Sequence, residues 1–290
     1  MQLRTHVPQP LHAVSRAAYA RFGQATRSLR ALPDFIVIGG QRCGTTSLFK
    51  NLAEHPQVLR PGIEKGLDYY SLYPDRGLDW YRGNFPITSL ARLRTVRHGK
   101  PAVFEACTYY LFHPFAIERI AGDLPHVKLV AMLRDPVERA FSAYKHELAR
   151  GFETEPDFLR ALALEESRLE GEVERMAADP AYESHAHRHH AYRARGQYAE
   201  QLQRVFTHFS REQVFVCDSE SYFAQPAQQY QALTRFLGLE DYLPGRFDQF
   251  NARPSTPMPS AAREQLERHY APHDEALTEL LGRRPGWLPA

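Results

Sequence analysis

At 290 residues and 43% hydrophobic content, the chain is long enough to bury one large α/β core, so one main domain is expected. The formal net charge of +2 is too small to indicate nucleic acid as a partner, and no stretch approaches the roughly 18 uninterrupted apolar residues of a membrane-spanning helix. The three cysteines are scattered and odd in number, which implies no disulfide framework and favours a reducing compartment such as the cytoplasm (Cys43, Cys107 and Cys217).

The N-terminal segment, residues 1–33, is basic, with arginines spread among Ala, Leu, Val and Tyr. It lacks the apolar centre of a secretory signal. We interpret it as a basic helical arm ahead of a single domain that spans residues 34–290. Two roles stay open for this arm: packing on its own domain, which we favour, and contact with a membrane surface or a partner.

The most informative stretch is residues 35–50, FIVIGGQRCGTTSLFK. Residues 35–38 predict a strand, a loop containing glycine follows, and the apolar spacing beyond it predicts a helix with one buried face (Leu48, Phe49 and Leu52). A strand, a glycine loop and a helix N-terminus together form an anion site, because backbone N–H groups converge there and the helix dipole favours negative charge.

The spacing of Gly39 and Gly44 is that of a nucleotide-binding P-loop, yet Thr45 stands where a nucleoside triphosphatase has lysine. The cation of this loop is Arg42 instead. The sequence therefore predicts a phosphate-binding loop whose ligand is not the γ-phosphate of ATP. A P-loop kinase that uses ATP and magnesium is the first alternative.

A second strand-to-helix corner is predicted at residues 128–151, KLVAMLRDPVERAFSAYKHELARG. Residues 128–133 predict a buried parallel strand, and Pro136 suits the first turn of the next helix. That helix is expected to have a buried face and, beside it, a polar face (Val137, Phe141, Tyr144 and Leu148; then Arg139, Ser142, Lys145 and His146). With Arg134 at the end of the strand, this corner offers an arginine and a hydroxyl to a second anion, so a ligand with two separated phosphates is expected.

The two corners, in this order and about 90 residues apart, resemble those of the sulfotransferases that use 3′-phosphoadenosine 5′-phosphosulfate (PAPS). The resemblance is greatest to the bacterial branch related to the glycosaminoglycan and heparan sulfate sulfotransferases. It covers roughly residues 33–288 and includes the segments GLDWYRGNFP, FEACTYYLFHP, RGQYAEQL and RFLGL. It implies an α/β fold of the P-loop-like sulfotransferase type, with a central, mostly parallel sheet flanked by helices.

The resemblance also implies how the chain binds PAPS and its product, 3′-phosphoadenosine 5′-phosphate (PAP). Arg134 and Ser142 are expected to bind the 3′-phosphate, and Tyr198 and Arg253 to contact the adenine and the 3′-phosphate. The QRCGTTSL loop is expected to bind the 5′-phosphosulfate (Arg42, Cys43, Gly44, Thr45, Thr46 and Ser47). Arg42 and the loop N–H groups would also stabilise the charge that builds on the leaving phosphate oxygen.

The base that takes the acceptor proton has several candidates. Relatives use a glutamate or a histidine shortly after the first helix, before an aromatic pair. Aligned on residues 69–70, these two positions hold Gly66 and Asp68, whereas an ungapped count from residues 55–56 places Glu64 at the glutamate position. Glu64 and Asp68 are therefore both candidate bases, and either carboxylate could instead be a solvated loop charge.

His146 is the third candidate base. It lies one helical turn beyond Ser142, and it matches a histidine near the reaction centre of the heparan N-sulfotransferases. An imidazole also titrates near neutrality, where a general base is needed. The alternative is that His146 only ends the polar face of its helix. Glu105 is expected to be a structural or acceptor-positioning carboxylate.

The predicted reaction is transfer of a sulfuryl group to a hydroxyl, or less favoured to an amine, of a carbohydrate or another small metabolite. Residues 156–195 are predicted to cover the cleft as a lid. The histidines of ESHAHRHHAY within them are interpreted as a solvated loop near the mouth of the acceptor cleft and not as a metal site. No metal is expected. A catalytically silent nucleotide-binding module is the second alternative to this function.

The location is predicted separately. The sequence shows no membrane anchor like that of Golgi relatives, which favours a bacterial, cytoplasmic enzyme.

Overall fold

The computed structural model describes residues 9–62, 65–250 and 256–289. Within them, a five-stranded sheet has the order β2-β3-β1-β4-β5. The strands are β1 (Phe35–Gly39), β2 (Val58–Leu59), β3 (Ala102–Ala106), β4 (Lys128–Leu133) and β5 (Val214–Asp218). The helices are α1 (Gln9–Ala25), α2 (Thr45–Glu54), α3 (Tyr69–Leu72), α4 (Gly77–Arg82), α5 (Thr88–Arg94), α6 (Ala116–Asp123), α7 (Pro136–Arg150), α8 (Phe158–Leu169), α9 (Glu172–Ala178), α10 (His185–His189), α11 (Tyr198–His208), α12 (Ser219–Ala224), α13 (Pro226–Leu237) and α14 (Ser260–Leu281).

Neighbouring strands of the sheet are all parallel, which confirms the predicted sheet type. Successive residues of β1 face opposite layers, as the two-residue repeat of a strand requires. Ile36 and Ile38 pack in the layer of α3, α6, α11 and α14, and Phe35 and Val37 pack in the layer of α2, α12 and α13. Helices therefore cover both faces of the sheet, which explains why its central strands are uninterrupted apolar runs.

The strand order reverses direction at the centre of the sheet. After β1 the chain builds β2 and β3 on one side, and then β4 and β5 on the other side. At such a point the loops that follow neighbouring parallel strands diverge and leave a crevice at the carboxyl edge, where ligands of open α/β sheets bind. The two predicted anion corners follow β1 and β4, so both lie at this edge.

Helix α7 begins at Pro136, as predicted, and the Asp135 side chain caps it by accepting from the backbone N–H of Val137 at 2.9 Å. Two predictions about its faces are wrong. Leu148, expected in the core, is 38% exposed, and Arg139, expected on the polar face, is only 1% exposed and donates to the carbonyl of Tyr192. The reason is that α14 and the 3₁₀ turn at residues 194–196 pack against α7 and rotate its buried face.

The N-terminal segment contacts α4 of the main domain. The Tyr19 hydroxyl donates to the carbonyl of Asn84 at 3.1 Å, and Arg27 forms a 2.8 Å ion pair with Asp79. The division of the chain at residue 33 stays a prediction. In the described ranges, no helix combines the length and the apolar character needed to cross a bilayer.

Candidate active site

A cleft of about 990 Å³ opens at the carboxyl edge of the sheet. Its walls include the glycine loop after β1, the polar face of α7, the segment around Lys65 and Asp68, the segments that follow β3 and β5, and residues 188–195. The last part belongs to the predicted lid. Helices α2 and α7 begin at this edge, so their N-terminal N–H groups contribute positive potential to the cleft.

The glycine loop is held in a left-handed backbone conformation at two residues, Arg42 (φ 67°) and Gly44 (φ 86°). Gly44 precedes α2, and a Cβ atom there would lie 3.0 Å from the Phe223 ring, so the packing as well as the dihedral favours glycine. The Ser219 hydroxyl, at the end of β5, donates to the carbonyl of Cys43 at 2.5 Å. This hydrogen bond fixes the glycine loop to the carboxyl end of β5.

Three residues predicted to bind the cofactor support the cleft from behind. Cys43 is fully buried, which raises the pKa of its thiol to about 11, and the Ser47 hydroxyl accepts from the backbone N–H of Phe250 at 3.0 Å. The buried Tyr198 donates its hydroxyl to the carbonyl of Arg134 at 2.9 Å. Neither Cys43 nor Ser47 is among the residues that line the cleft, and Tyr198 positions the end of β4.

The two predicted anion corners are in direct contact. Arg42 Nε donates to Ser142 Oγ at 3.0 Å, and Arg134 Nη1 donates to the carbonyl oxygen of Arg42 at 3.3 Å. Thr45 and Thr46 line the cleft beside them. The structure thus brings two arginines from separate corners, three hydroxyls and a helix N-terminus to one place, which is the donor set that phosphate groups require.

Lys65 is a cleft residue that the sequence interpretation missed. Its Nζ lies 3.4 Å from Thr45 Oγ1 and 3.5 Å from Thr46 Oγ1, and burial lowers the pKa of its ammonium group to about 8. The lysine that the P-loop lacks is thus replaced by one from a separate segment. The only signal in the sequence is its place between Glu64 and Gly66, in the segment that holds two of the candidate bases.

Of the positions considered for the base, Gly66 has no room for a side chain, because a Cβ atom there would lie 2.6 Å from the carbonyl oxygen of Ala106. Asp68 lines the cleft, accepts a hydrogen bond from the Cys107 thiol at 2.9 Å and lies 3.8 Å from Arg188.

His146 lines the cleft from α7. Glu64 and Arg253, predicted as a base and as a nucleotide contact, lie outside the described residues.

Glu105 is a structural carboxylate, in agreement with the first of its two expected roles. It is fully buried on β3, accepts from the hydroxyls of Tyr81 at 2.6 Å and Tyr110 at 3.0 Å, and accepts from the backbone N–H of Leu67 at 2.7 Å. Burial raises the pKa of this carboxyl to about 7. The bond to Leu67 anchors the segment that carries Lys65 and Asp68.

A polar network on the other wall of the cleft was also missed. Gln41 Nε2 donates to Glu147 Oε1 at 2.9 Å, and Arg195 Nη1 donates to Gln41 Oε1 at 2.7 Å. The second oxygen of Glu147 lies 2.8 Å from His189 Nδ1. These residues connect the glycine loop, α7 and α10 through hydrogen bonds between side chains.

The interpretation of the histidine-rich segment as a solvated loop is wrong for His187, and part of the segment forms the short helix α10. His189 lines the cleft, and His187 is buried, where its Nδ1 lies 2.8 Å from the Tyr109 hydroxyl. Burial lowers the pKa of His187 to about 3. The short helix α10 packs on α8 and α9, a contact that a polar sequence pattern does not reveal. Among the described residues, no group of three or more His, Cys, Asp or Glu side chains is placed to hold a metal ion.

Comparison with known proteins gives a family match, a similar solved structure and similar curated proteins. Residues 32–251 match the family model described as a sulfotransferase domain. A crystal structure of a sulfotransferase from Alicyclobacillus acidocaldarius is similar with a TM-score of 0.65 and 34% identity, over 87% of this chain and 97% of that chain.

Among curated proteins, a bifunctional heparan sulfate N-deacetylase/N-sulfotransferase 1 from Caenorhabditis briggsae is 26% identical over 74% of this chain, and the human form 3 is 27% identical over 89% of this chain. The chain spans 24% and 31% of these two relatives, respectively.

Proposed function

The chain belongs to the sulfotransferase family and is a sulfotransferase with the P-loop-like fold of that family, and we propose that its donor is PAPS. The acceptor is a hydroxyl, or an amine, of a carbohydrate or another small metabolite, and the product of the donor is PAP. The contact between the two anion corners carries this proposal. Arg42 donates to Ser142 and Arg134 donates to the carbonyl of Arg42, so the two corners lie side by side, where they can bind the two phosphates of one ribose.

The proposed reaction is an in-line displacement. The acceptor oxygen attacks sulfur, the bond between sulfur and the phosphate oxygen breaks, and its electron pair stays on the phosphate of PAP. Arg42, Lys65 and the N–H groups at the start of α2 lie around the glycine loop, where this charge develops. Fixed donors of this kind stabilise such a transition state without having to reorganise, so we assign the leaving-group charge to them.

The proton acceptor belongs to the cleft wall in this proposal. Asp68 and His146 line the cleft and stay candidates, together with Glu64. Single replacements of these three by Asn, Gln and Gln separate a base from a binding residue, because loss of a base lowers kcat while the affinity for PAP stays unchanged.

Lys65 is expected to make PAP binding dependent on pH. Its lowered pKa of about 8 means that the free protein carries the ammonium charge below pH 8 and loses it above. If only the charged form binds well, the affinity for PAP falls about tenfold between pH 7 and pH 9, from the linkage of one proton. Calorimetric titration at both values measures this change.

The controls for this prediction are two other variants. Lys65→Arg keeps its charge at pH 9 and is expected to bind PAP with nearly equal affinity at pH 7 and pH 9. Lys100 is a surface lysine 3.6 Å from Asp34, and Lys100→Gln is expected to keep the wild-type dependence of PAP affinity on pH. A dependence in Lys65→Arg as steep as that of the wild type contradicts the assignment.

Turnover is expected to survive thorough chelation with EDTA. The charge on the leaving phosphate is balanced by Arg42, Lys65 and the N–H groups at the start of α2 in this proposal, so a divalent cation is not needed for it. PAP release is measured before and after dialysis against the chelator. Loss of activity that zinc or magnesium restores would show that a metal takes part.

The resemblance to the heparan sulfate N-deacetylase/N-sulfotransferases supports a glycan as the first acceptor to be tried. Heparan sulfate from which the N-sulfate has been removed offers both hydroxyl and amine groups to the enzyme. We also propose a cytoplasmic location, which the three buried, unpaired thiols support, and which fractionation of the producing cells tests (Cys43, Cys107 and Cys217).

A further inference from the structure

His189 is a histidine held in one orientation in the cleft wall. Its Nδ1 lies 2.8 Å from Glu147 Oε2, and its ring stacks on Phe152 with the centroids 4.2 Å apart and the planes at 28°. The side chains of His189 and Glu147 are 13% and 2% exposed. The imidazole is therefore fixed from two sides while it faces the cleft.

Glu147 determines which ring nitrogen of His189 carries the proton. Burial is the largest single effect and disfavours its charge, but the hydrogen bond from His189 and the nearby charges of His189, His146 and Arg195 together hold the pKa of Glu147 below its ordinary value. An ionised carboxylate only accepts hydrogen bonds, so Nδ1 must donate, and in the neutral ring Nε2 then holds the lone pair. In the part of the chain that the structure describes, no protein group hydrogen-bonds Nε2.

The pair is also fixed relative to the glycine loop. Gln41, which directly precedes Arg42, donates to the other oxygen of Glu147 at 2.9 Å, and Arg195 holds the Gln41 amide oxygen at 2.7 Å. A base and the site of the donor must keep a constant separation for an in-line attack. This network connects His189 to Gln41 of the glycine loop through the side chain of Glu147.

We propose that His189 is the general base of the sulfuryl transfer and that Glu147 is its positioning residue, an inference that rests on the proposed use of PAPS. The proton of the acceptor hydroxyl passes to Nε2 as the oxygen bonds to sulfur. The bond from sulfur to the phosphate oxygen breaks, and its electrons stay on PAP. Glu147 stabilises the resulting imidazolium until the proton passes to solvent, so atoms and charges balance without another reactant.

Other groups on the cleft wall fit this role less well. The carboxylate of Asp68 accepts from the Cys107 thiol and faces Arg188, so its charge already has partners. Lys65 lies beside the threonines of the glycine loop, where it faces the donor. His189 combines an oriented lone pair, a carboxylate partner and a place in the cleft.

The test compares His189→Gln with the wild type. PAP release from PAPS is followed with water alone and with de-N-sulfated heparan sulfate as the acceptor. We expect kcat to fall about a hundredfold, within the usual range for a general base, while the affinity for PAP stays within about twofold. Added imidazole is expected to restore part of the activity of His189→Ala. His185→Gln is the matched control, because His185 is exposed and its ring lies 4.8 Å from that of His189.

A double variant of Glu147 and His189 tests whether Glu147 acts through His189. If it acts through His189, Glu147→Gln lowers kcat, and the double variant is no slower than His189→Gln alone. A purely structural role would make the two losses of kcat multiply.

A folded His189→Gln variant with wild-type kcat would overturn the inference and leave PAPS use intact. A loss of kcat found only in Asp68→Asn or His146→Gln would assign the base to that residue. A wild-type protein that releases no PAP contradicts the proposed function itself.

Discussion

Replacement of Arg42 by alanine is expected to lower turnover by about two to three orders of magnitude, the usual loss for a donor that stabilises developing charge. Its guanidinium lies between the glycine loop and Ser142, where the leaving phosphate is expected. The fold is expected to stay intact. Arg42 already has a positive φ of 67° without being glycine, so alanine adds no new backbone strain, and the side chain lines an open cleft.

Two further variants make this result specific. Arg42→Lys keeps the charge but loses the planar fork, and we expect an intermediate turnover. Arg92→Ala, an exposed arginine of α5 outside the cleft, is expected to behave as the wild type. The measurement is PAP release under saturating PAPS, with circular dichroism to verify folding. A folded Arg42→Ala variant with near-wild-type turnover removes Arg42 from the mechanism.

The second large effect is a preference for PAP over AMP of at least about a hundredfold. The two ligands differ by the 3′-phosphate, which Arg134 and Ser142 are proposed to bind. Hydrogen bonds to charged groups contribute about 1.5 to 3 kcal/mol each, and an arginine contact with phosphate is frequently bidentate. Two such contacts, less some compensation by solvent, amount to about 2.7 kcal/mol or more, which is a factor of about one hundred.

Arg134→Ala is expected to erase most of this preference while the affinity for AMP changes little. Ser142→Ala is expected to remove a smaller part, because a hydroxyl contributes one uncharged donor. Arg134 also donates to the carbonyl of Arg42 at 3.3 Å, so the AMP titration is the necessary control for an indirect effect on the loop. Calorimetric titration of both nucleotides on the three proteins gives the result. Equal affinity of the wild type for PAP and AMP would contradict the assignment of this corner.

The parts of the fold that could be predicted are encoded locally. An apolar run followed by glycine and a helical pattern predicts a strand, a loop and a helix, and β1 with α2 and β4 with α7 confirm both corners. Since the carboxyl ends of neighbouring parallel strands lie at one edge, the meeting of the corners also follows from the motifs.

The parts that could not be predicted depend on contacts between distant segments. The burial of Arg139 is caused by α14, and the place of Lys65 beside Thr45 and Thr46 depends on the path of a loop. His189 is a cleft residue because α10 packs on α8 and α9 and because Glu147 lies opposite it, 42 residues away in sequence. None of these pairings leaves a periodic or spaced signal in the chain.

Use of PAPS is tested most directly by following both products of one reaction. The protein is incubated with PAPS labelled with ³⁵S, with de-N-sulfated heparan sulfate as acceptor, and a parallel reaction contains ATP labelled at the γ-phosphate together with magnesium. We predict that PAP and ³⁵S-labelled acceptor appear in equal amounts, or that PAP and free sulfate do so where water is the acceptor, while ATP stays intact. Transfer of the γ-phosphate with PAPS left unconsumed would contradict the account.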